Sequence, residues 1–436
     1  MNKKAVIGCV SVLGLSAIYL AGVYYSGQEA NKFIQQAVEQ AQVQSSGKAF
    51  IHVEAKPGFY TSSYQVVYTP TELPESAEEW MGGRDIPFNL DVKHGFLGAE
   101  STLVLAEGSL LTKLKTFQAN ASSEPFVMQT QQRFNPFSKQ LAVSGEFETD
   151  QFVVQSEEGT ATVGAMQMDF DQQGRDFTLD LVMQDSGIDT QDYKLSVKGI
   201  EGTESGRLDH DDPMQAVMAE TLEALFNIEQ VLVESDKYNV DAKGLRLDVQ
   251  QALNDGRMLT SIGYAADSFQ VVEAGKTAPA FIDPNLNLTF DLDFASTREL
   301  AIMLQDMQGE PDAMHQQMES ILAVADSVTE KGIGADINDL SVGWEGYKAQ
   351  GDAELDIAPF QASEIMMQPD KIRQYLTLNA QFTVPVAMLE AMPDYNPQQI
   401  SMFVQMGFVQ KQGDSYKVEL QLKQGEVTLN GQTVPM

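Results

Sequence analysis

From Ala5 to Tyr25 no side chain carries a charge, whereas Lys3 and Lys4 stand just before the stretch and Glu29 just after it. A run of that kind has few physical solutions. A helix that crosses a bilayer needs about 20 mostly apolar residues, and in lipid every backbone polar group must be satisfied internally. Val6, Ile7, Val10, Val12, Leu13, Leu15, Ile18, Leu20 and Val23 favour insertion, and Gly8, Gly14 and Gly22 offset part of that. Tyr19, Tyr24 and Tyr25 crowd the distal end, where aromatic rings settle at a membrane interface. The two lysines favour a cytoplasmic N-terminus, which leaves the chain after about Ser26 on the far side.

Three other readings compete with an uncleaved anchor. A signal peptide wants small residues at the last and third-last positions before cleavage. Tyr19-Leu20-Ala21 and Tyr25-Ser26-Gly27 both put tyrosine third-last. A lipoprotein signal at Val6-Ile7-Gly8-Cys9 leaves too short an apolar run after Lys4. A buried core helix fits the length and the flanking charges poorly. Ala17 with Ala21, and Gly22 with Ser26, have the small-xxx-small spacing of some helix dimers, although a lipid-facing helix needs no such role. Cys9 is the single cysteine. Beyond it the chain has no means to build disulfides, cysteine–zinc sites or a cysteine nucleophile.

The formal charge is −34 at pH 7. Such a surface repels nucleic acid phosphate and anionic headgroups, and it keeps a protein soluble. Phenylalanine and tyrosine recur throughout, so the chain has the apolar content of a folded body rather than of a disordered acidic tail.

Residues 27–44 carry Phe33, Ile34, Ala37, Val38 and Ala41 at helical spacing, which predicts an amphipathic stalk helix. From residue 48 onward the period changes to two. Phe50–Ala55 and Tyr64–Tyr68 read as a hairpin, and Thr69–Arg84 as an excursion loop. Ile86–Val92 and Ala99–Ala106 flank a turn at Lys93-His94-Gly95-Phe96. Further strands are expected over Lys139–Phe147, Gln151–Gln155, Ala161–Asp169, Phe177–Met183 and Tyr193–Ile200. Pro213 with Met214, Val217, Met218, Leu222, Leu225 and Phe226 predicts a helix. Strands follow to Phe294, with Asn254-Asp255-Gly256 as a hairpin turn. Helices are expected over Thr297–Met307, Asp312–Lys331, Val386–Met392 and Pro397–Phe408, with strands over Gln374–Val384 and from Tyr416 to Leu429. The fold class is therefore α+β: an extended, mostly antiparallel sheet built from hairpins, with helices packed on one face, after an N-terminal transmembrane helix. The body spans residues 48–436, with a possible sub-division near 205–230.

Several of these segments resemble the YdgA/YihF family of bacterial proteins, which carry one N-terminal span and have no established activity. The likeness lies in the Met-Asn-Lys start and its apolar span, in Pro57-Gly58-Phe59-Tyr60-Thr61-Ser62-Ser63, in Lys93-His94-Gly95-Phe96 and in Gly425–Gln432. It covers nearly the whole chain in short motifs. The family typically shows an acidic residue before His-Gly and a proline after it; here Lys93 and Phe96 stand in those places. The resemblance implies an address and an architecture but no catalytic residues.

Candidate chemistry is sparse. His52, His94, His210 and His315 show no metal-ligand spacing. His94 is the one retained as a binding or catalytic candidate, against a plain turn role. His210 among Asp209, Asp211 and Asp212 reads as the acidic start of a helix. Asp169, Asp171, Gln173, Gly174 and Asp180 partly match a calcium loop but fit a hairpin turn at Gln172-Gln173-Gly174 better. Gly275-Lys276-Thr277 lacks the first glycine of a phosphate loop, with Gln270 in its place. Ser45 and Lys48 have Ser-x-x-Lys spacing without partner motifs. Methionine is abundant at Met303, Met307, Met314, Met318, Met388, Met392, Met402 and Met406. Core packing is the simplest reading. A ligand-facing groove is the alternative, carried by Met388, Met392, Met402 and Met406.

The sequence thus points to a single-pass inner-membrane protein of a Gram-negative bacterium with its bulk in the periplasm. It would act by binding an envelope partner or an apolar ligand such as lipid, with no cofactor, metal, nucleotide or nucleic acid. The alternative is a periplasmic hydrolase with a non-contiguous carboxylate/His site. If the anchor reading holds, alkaline phosphatase fused after Met436 is active in cells and N-terminal sequencing of the purified chain starts before Ala5. An inactive fusion contradicts it, as does a mature N-terminus beyond Tyr25.

Overall fold

The structure is a computed structural model. It describes residues 49–434 apart from 57, 59–60, 72, 96–97, 119–122, 136–139, 158, 211–215, 274–278, 308–317 and 393–394. The anchor at 5–25, Cys9, the stalk at 27–44, Ser45 with Lys48, and His315 lie outside the described residues. Among those described, no helix is long and apolar enough to cross a membrane. The chain divides into two compact units. The first takes residues up to 186 plus 203–219 and 302–316, and the second takes 187–202, 220–301 and 317 onward.

The first unit is a chain of hairpins. Its strands are β1 (Ala49–Lys56), β2 (Thr61–Pro70), β3 (Ile86–Gly95), β4 (Gly98–Leu105), β5 (Phe126–Asn135) and β6 (Gln140–Thr149). A small hairpin follows, β7 (Phe152–Ser156) with β8 (Gly159–Val163), and then β9 (Met166–Gln173) and β10 (Asp176–Met183). Each of β1 to β5 pairs antiparallel with the next, β6 pairs with β9, and β9 with β10. Two short helices, α1 (Glu75–Met81) and α2 (Ser109–Phe117), interrupt the strands.

Residues directly opposite in an antiparallel pair share a face of the sheet. Tyr64, Leu90, Leu103, Met128 and Phe147 therefore form one row across five strands. They are 1% to 3% exposed, with Met81, Leu110, Leu111 and Leu114 of the two helices packed against this core. Farther along the same face the row turns polar: Ser62 opposite Val92, then Ser101 and Thr130, with Gln132 next to Thr130 on that face of β5. Burial of Tyr64 pushes its phenol up, and the adjacent Ser62 hydroxyl offsets part of that. Gln132 is 3% exposed, yet neither of its amide atoms has a hydrogen-bond partner.

The second unit opens with β11 (Ser186–Thr190) and β12 (Tyr193–Leu208), whose ends belong to the first unit. It continues through β13 (Ala219–Ser235), β14 (Tyr238–Asn254), β15 (Arg257–Ala265), β16 (Ser268–Glu273) and β17 (Phe281–Asp293). Helix α3 (Phe294–Met307), whose residues from 302 on belong to the first unit, and α4 (Met318–Thr329) precede the hairpin β18 (Ile333–Trp344) and β19 (Tyr347–Ile357). Then come α5 (Ala362–Met367), a 3-10 turn (Pro369–Gln374) and β20 (Leu376–Pro385). The last elements are α6 (Val386–Ala391), α7 (Pro397–Gln405), β21 (Gln410–Gln412), β22 (Ser415–Lys423), β23 (Glu426–Leu429) and β24 (Gln432–Val434). Antiparallel pairing runs β13-β14-β15-β17-β18-β19-β20-β22-β23-β24. Strand β16 extends the β14 ladder, and β21 pairs beside β22.

Side chains fasten the helical ends of this unit. Arg257 donates to the Asp291 carboxylate at 2.7 Å and to the Lys331 and Gly332 carbonyls at 3.0 and 3.2 Å, tying two strands to the end of α4. The Thr329 hydroxyl donates to the Phe360 carbonyl at 2.8 Å. Ser363 donates to Asp326 through both its backbone N–H and its hydroxyl.

The architecture is mostly antiparallel sheet, as the alternation predicted, but helices are few and short. One expected helix is a strand. Leu222, Ala224, Phe226 and Ile228 alternate on β13, opposite Gln251, Val249, Leu247 and Leu245 of β14. The expected loop over 69–84 contains α1. The hairpin at Asp255-Gly256 forms with φ of 50° and 79°, the conformation a tight two-residue turn demands. The segment that partly matches a calcium loop is the β9–β10 hairpin, which turns at Gly174-Arg175.

An unsatisfied buried amide costs about 1–3 kcal/mol. Gln132→Met keeps the volume and removes that cost. It should raise stability by roughly 1 kcal/mol or more in urea titrations of the full chain; a lower midpoint would show that the amide is satisfied in solution.

Candidate functional site

The register of the second unit assembles an apolar surface that its sequence scatters over two hundred residues. Phe226 stands opposite Leu247, Leu247 opposite Tyr264, and Tyr264 opposite Leu286. The row continues through Leu340, Gly351, Phe382 and Val418, crossing eight strands in all. A second row on the same face runs Ala224, Val249, Ile262, Leu288, Ile337, Ala353, Ala380, Leu420 and Leu429. Neither row contains a charged residue.

This face is not closed as the first unit's is. Tyr264 is 48% exposed, Leu340 36% and Phe382 38%. Most of their row neighbours are half-buried. The row also has a built gap. Gly351 is buried beneath the Phe382 ring, and any side chain at 351 would strike that ring. Helix α6 lies against β19 and β20 and buries Met388. At the opposite end of these strands, Phe360 and Tyr375 stack at 5.7 Å. A contiguous apolar row left open to solvent is a candidate binding surface.

The reverse face of the same sheet is polar. Asn285 donates to Asp339 at 2.7 Å, Gln381 to Asp352 at 2.8 Å, and Asn338 to Thr289 at 2.6 Å. Of these, Asn338, Asp339, Asp352 and Gln381 line a concavity of about 540 Å³ together with Gln350, Thr383 and Lys417.

In the first unit the outer face is acidic. Glu146 lies opposite Asp169, which lies opposite Asp180. Together with Asp91, Glu100 and Asp171 they line a second concavity of about 540 Å³, with Lys93 as its cation. Burial holds the Glu146 carboxyl above its ordinary range, and the neighbouring Glu148 and Asp169 charges add to the rise. Among the described residues no group of three or more side chains converges as a metal site.

His94 sits at the end of β3, half-buried, rather than in an exposed turn. Its Nε2 is 2.8 Å from the Ser62 hydroxyl, which also accepts the Gly58 N–H at 3.2 Å. Ser62 is 1% exposed. The neighbouring Lys93 lines the acidic concavity, so the imidazole lies on the opposite face from those carboxylates. Such a serine is a strut between strands and not an accessible nucleophile. His52 is exposed, 3.8 Å from Glu54.

The four methionines do not share one lining. Met388 is core, and Met392, half-buried, follows α6. Met402 and Met406 are exposed on and just beyond α7, one turn apart. The cross-strand row of Tyr264, Leu340 and Phe382 was not singled out from sequence. Its signal is ordinary alternation, and only the register shows that the residues meet.

The model of a family described as "Bacterial protein of unknown function (DUF945)" matches residues 1–436. No curated protein and no solved structure matches the chain.

The Glu146 shift gives a test of the acidic face. A raised carboxyl favours folding below its unfolded value and opposes it as pH rises through its folded value. Glu146→Gln should therefore raise the melting temperature at pH 7, by a stability of about 0.5 kcal/mol for one relieved cross-strand repulsion. The gain should vanish towards pH 4. A gain independent of pH contradicts the electrostatic cause.

Proposed function

Because the chain belongs to this bacterial family of unknown function, its activity has to be read from its surfaces, and we propose that it is a membrane-anchored binding protein of the cell envelope that takes an apolar ligand. The anchor is the uncharged stretch at 5–25, with the body in the periplasm of a Gram-negative bacterium. The finer kinship is with the YdgA/YihF proteins, supported by Pro57–Ser63, Lys93–Phe96 and Gly425–Gln432.

The observation that carries the reading is the open apolar face of the second unit, with Tyr264, Leu340 and Phe382 exposed along one row. Hydrocarbon is the occupant that suits it. A second copy would bring another −34 of charge to the contact, and like-charged bodies repel. An acyl chain brings none. The alternative of a hydrolase finds no support at its best candidate, since Ser62 is buried and His94 lies across the sheet from the carboxylates.

The test uses native membranes from cells fed a photoactivatable fatty acid. After irradiation, the reading expects label on peptides containing Leu340 and Phe382 as well as on 5–25. Leu340→Asp with Phe382→Asp should abolish the first and leave the second. Label confined to the anchor overturns the reading.

A further inference from the structure

The first apolar row ends near a cation, Lys411, on strand β21. Strand β21 has β22 as its pairing partner among the described residues and so forms the rim of the sheet there. Within it, Lys411 stands opposite Tyr416. Tyr416 is two residues from Val418, the last member of the row, and alternation puts both on the apolar face. The Lys411 ammonium lies 5.9 Å from the Tyr416 ring centroid, within the range of a cation–π contact. Lys411 is exposed and forms no ion pair with a carboxylate among the described residues. By contrast Lys371, Lys417, Lys243 and Arg257 each hold one.

A cation with no ion pair among the described residues, placed at the edge of an uncharged apolar face, is notable in a chain of net charge −34. We propose that Lys411 receives the anionic head of the ligand, so that the site takes a single-headed anionic amphiphile, an acyl chain with a terminal carboxylate or phosphate. Its tail lies across the strands along the row from Val418 towards Leu247. Those positions are separated by six strand spacings, about 29 Å at roughly 4.8 Å each, which is enough for a long acyl chain to lie full length. Tyr416 holds the ammonium over the face by its ring, and Phe382, above Gly351, is the first wall the tail meets. The inference rests on the apolar-ligand reading and adds the head chemistry and the direction.

The experiment uses the full chain in nanodiscs of zwitterionic lipid, in a Cys9→Ser background, since Cys9 is the single cysteine. A bimane fluorophore is attached through Val418→Cys in one protein and through Leu247→Cys in another. Two probes are titrated: stearate carrying a nitroxide beside the carboxylate, and stearate carrying it near the methyl end. The head-side nitroxide should quench position 418 more strongly, and the tail-side nitroxide position 247. Lys411→Glu should weaken head-side quenching at 418 by roughly tenfold in probe concentration, and Lys411→Arg should keep it. The nitroxide-labelled methyl ester, which lacks the charge, should be indifferent to Lys411→Glu. Equal quenching by both stearates at both positions, or no effect of Lys411→Glu, overturns the head placement while leaving the apolar site standing. No quenching at either position overturns the apolar site and this inference with it. If the phosphate-headed analogue responds to Lys411→Glu and the stearates do not, the head class is phosphate alone and the carboxylate version is overturned.

Discussion

Antiparallel pairing places each residue on the same face as the residue opposite it, and everything distinctive about this chain follows from that constraint. The two units obey it alike. In each, apolar residues drawn from successive hairpins line up in rows across the strands. They differ in what lies on the rows. In the first unit Met81, Leu110, Leu111 and Leu114 pack against the core that includes Leu103 and Met128, and its rings are closed off from water. In the second the row from Phe226 to Val418 has a helix against β19 and β20 and a helical cluster beyond the far strand ends, with its middle left open. Water on apolar side chains is unfavourable by about 25 cal/mol per Å², so such a face gains free energy from any hydrocarbon that covers it.

The rest of the surface narrows the choice of occupant. The outer face of the first unit carries opposed carboxylates, and the reverse face of the second satisfies its own amides and acids. Neither offers a comparable apolar area. A net charge of −34 opposes self-association through the open face and gives weight to Lys411, which has no ion pair among the described residues.

Much of the fold was legible in the sequence because hairpins announce themselves locally. The chain turns at Asp255-Gly256 within the expected Asn254-Asp255-Gly256, and at Gly174-Arg175, just past the expected Gln172-Gln173-Gly174, where Gln172 and Gln173 still belong to β9; the alternation of Tyr416, Val418, Leu420 and Leu422 is a strand. Residues 219–226 misled, whereas the strand expected over Gln230–Val233 lies in the second half of β13. The alanines, glutamates and leucines of 219–226 favour helix, and Leu222, Leu225 and Phe226 fit a helical stripe. The same segment also alternates at Leu222, Ala224 and Phe226, on to Ile228, and pairing with the long β14 overrides local propensity. The site was far less legible. Leu103 and Leu340 have the same kind of sequence surroundings, yet one is buried and the other is open, because cover depends on how helices such as α1 and α2 pack, which alternation along a strand does not encode. Met388 and Met402 make the same point: one residue type, opposite environments.

On our reading the apolar row of the second unit is open to solvent until a ligand covers it. Carbene footprinting of the full chain, before and after addition of an acyl amphiphile, measures that directly. The account predicts strong modification at Tyr264, Leu340 and Phe382, loss of it with ligand, and little at Leu103 or Met128 in either state. Modification of the second row as weak as that of the first, with or without ligand, would contradict it.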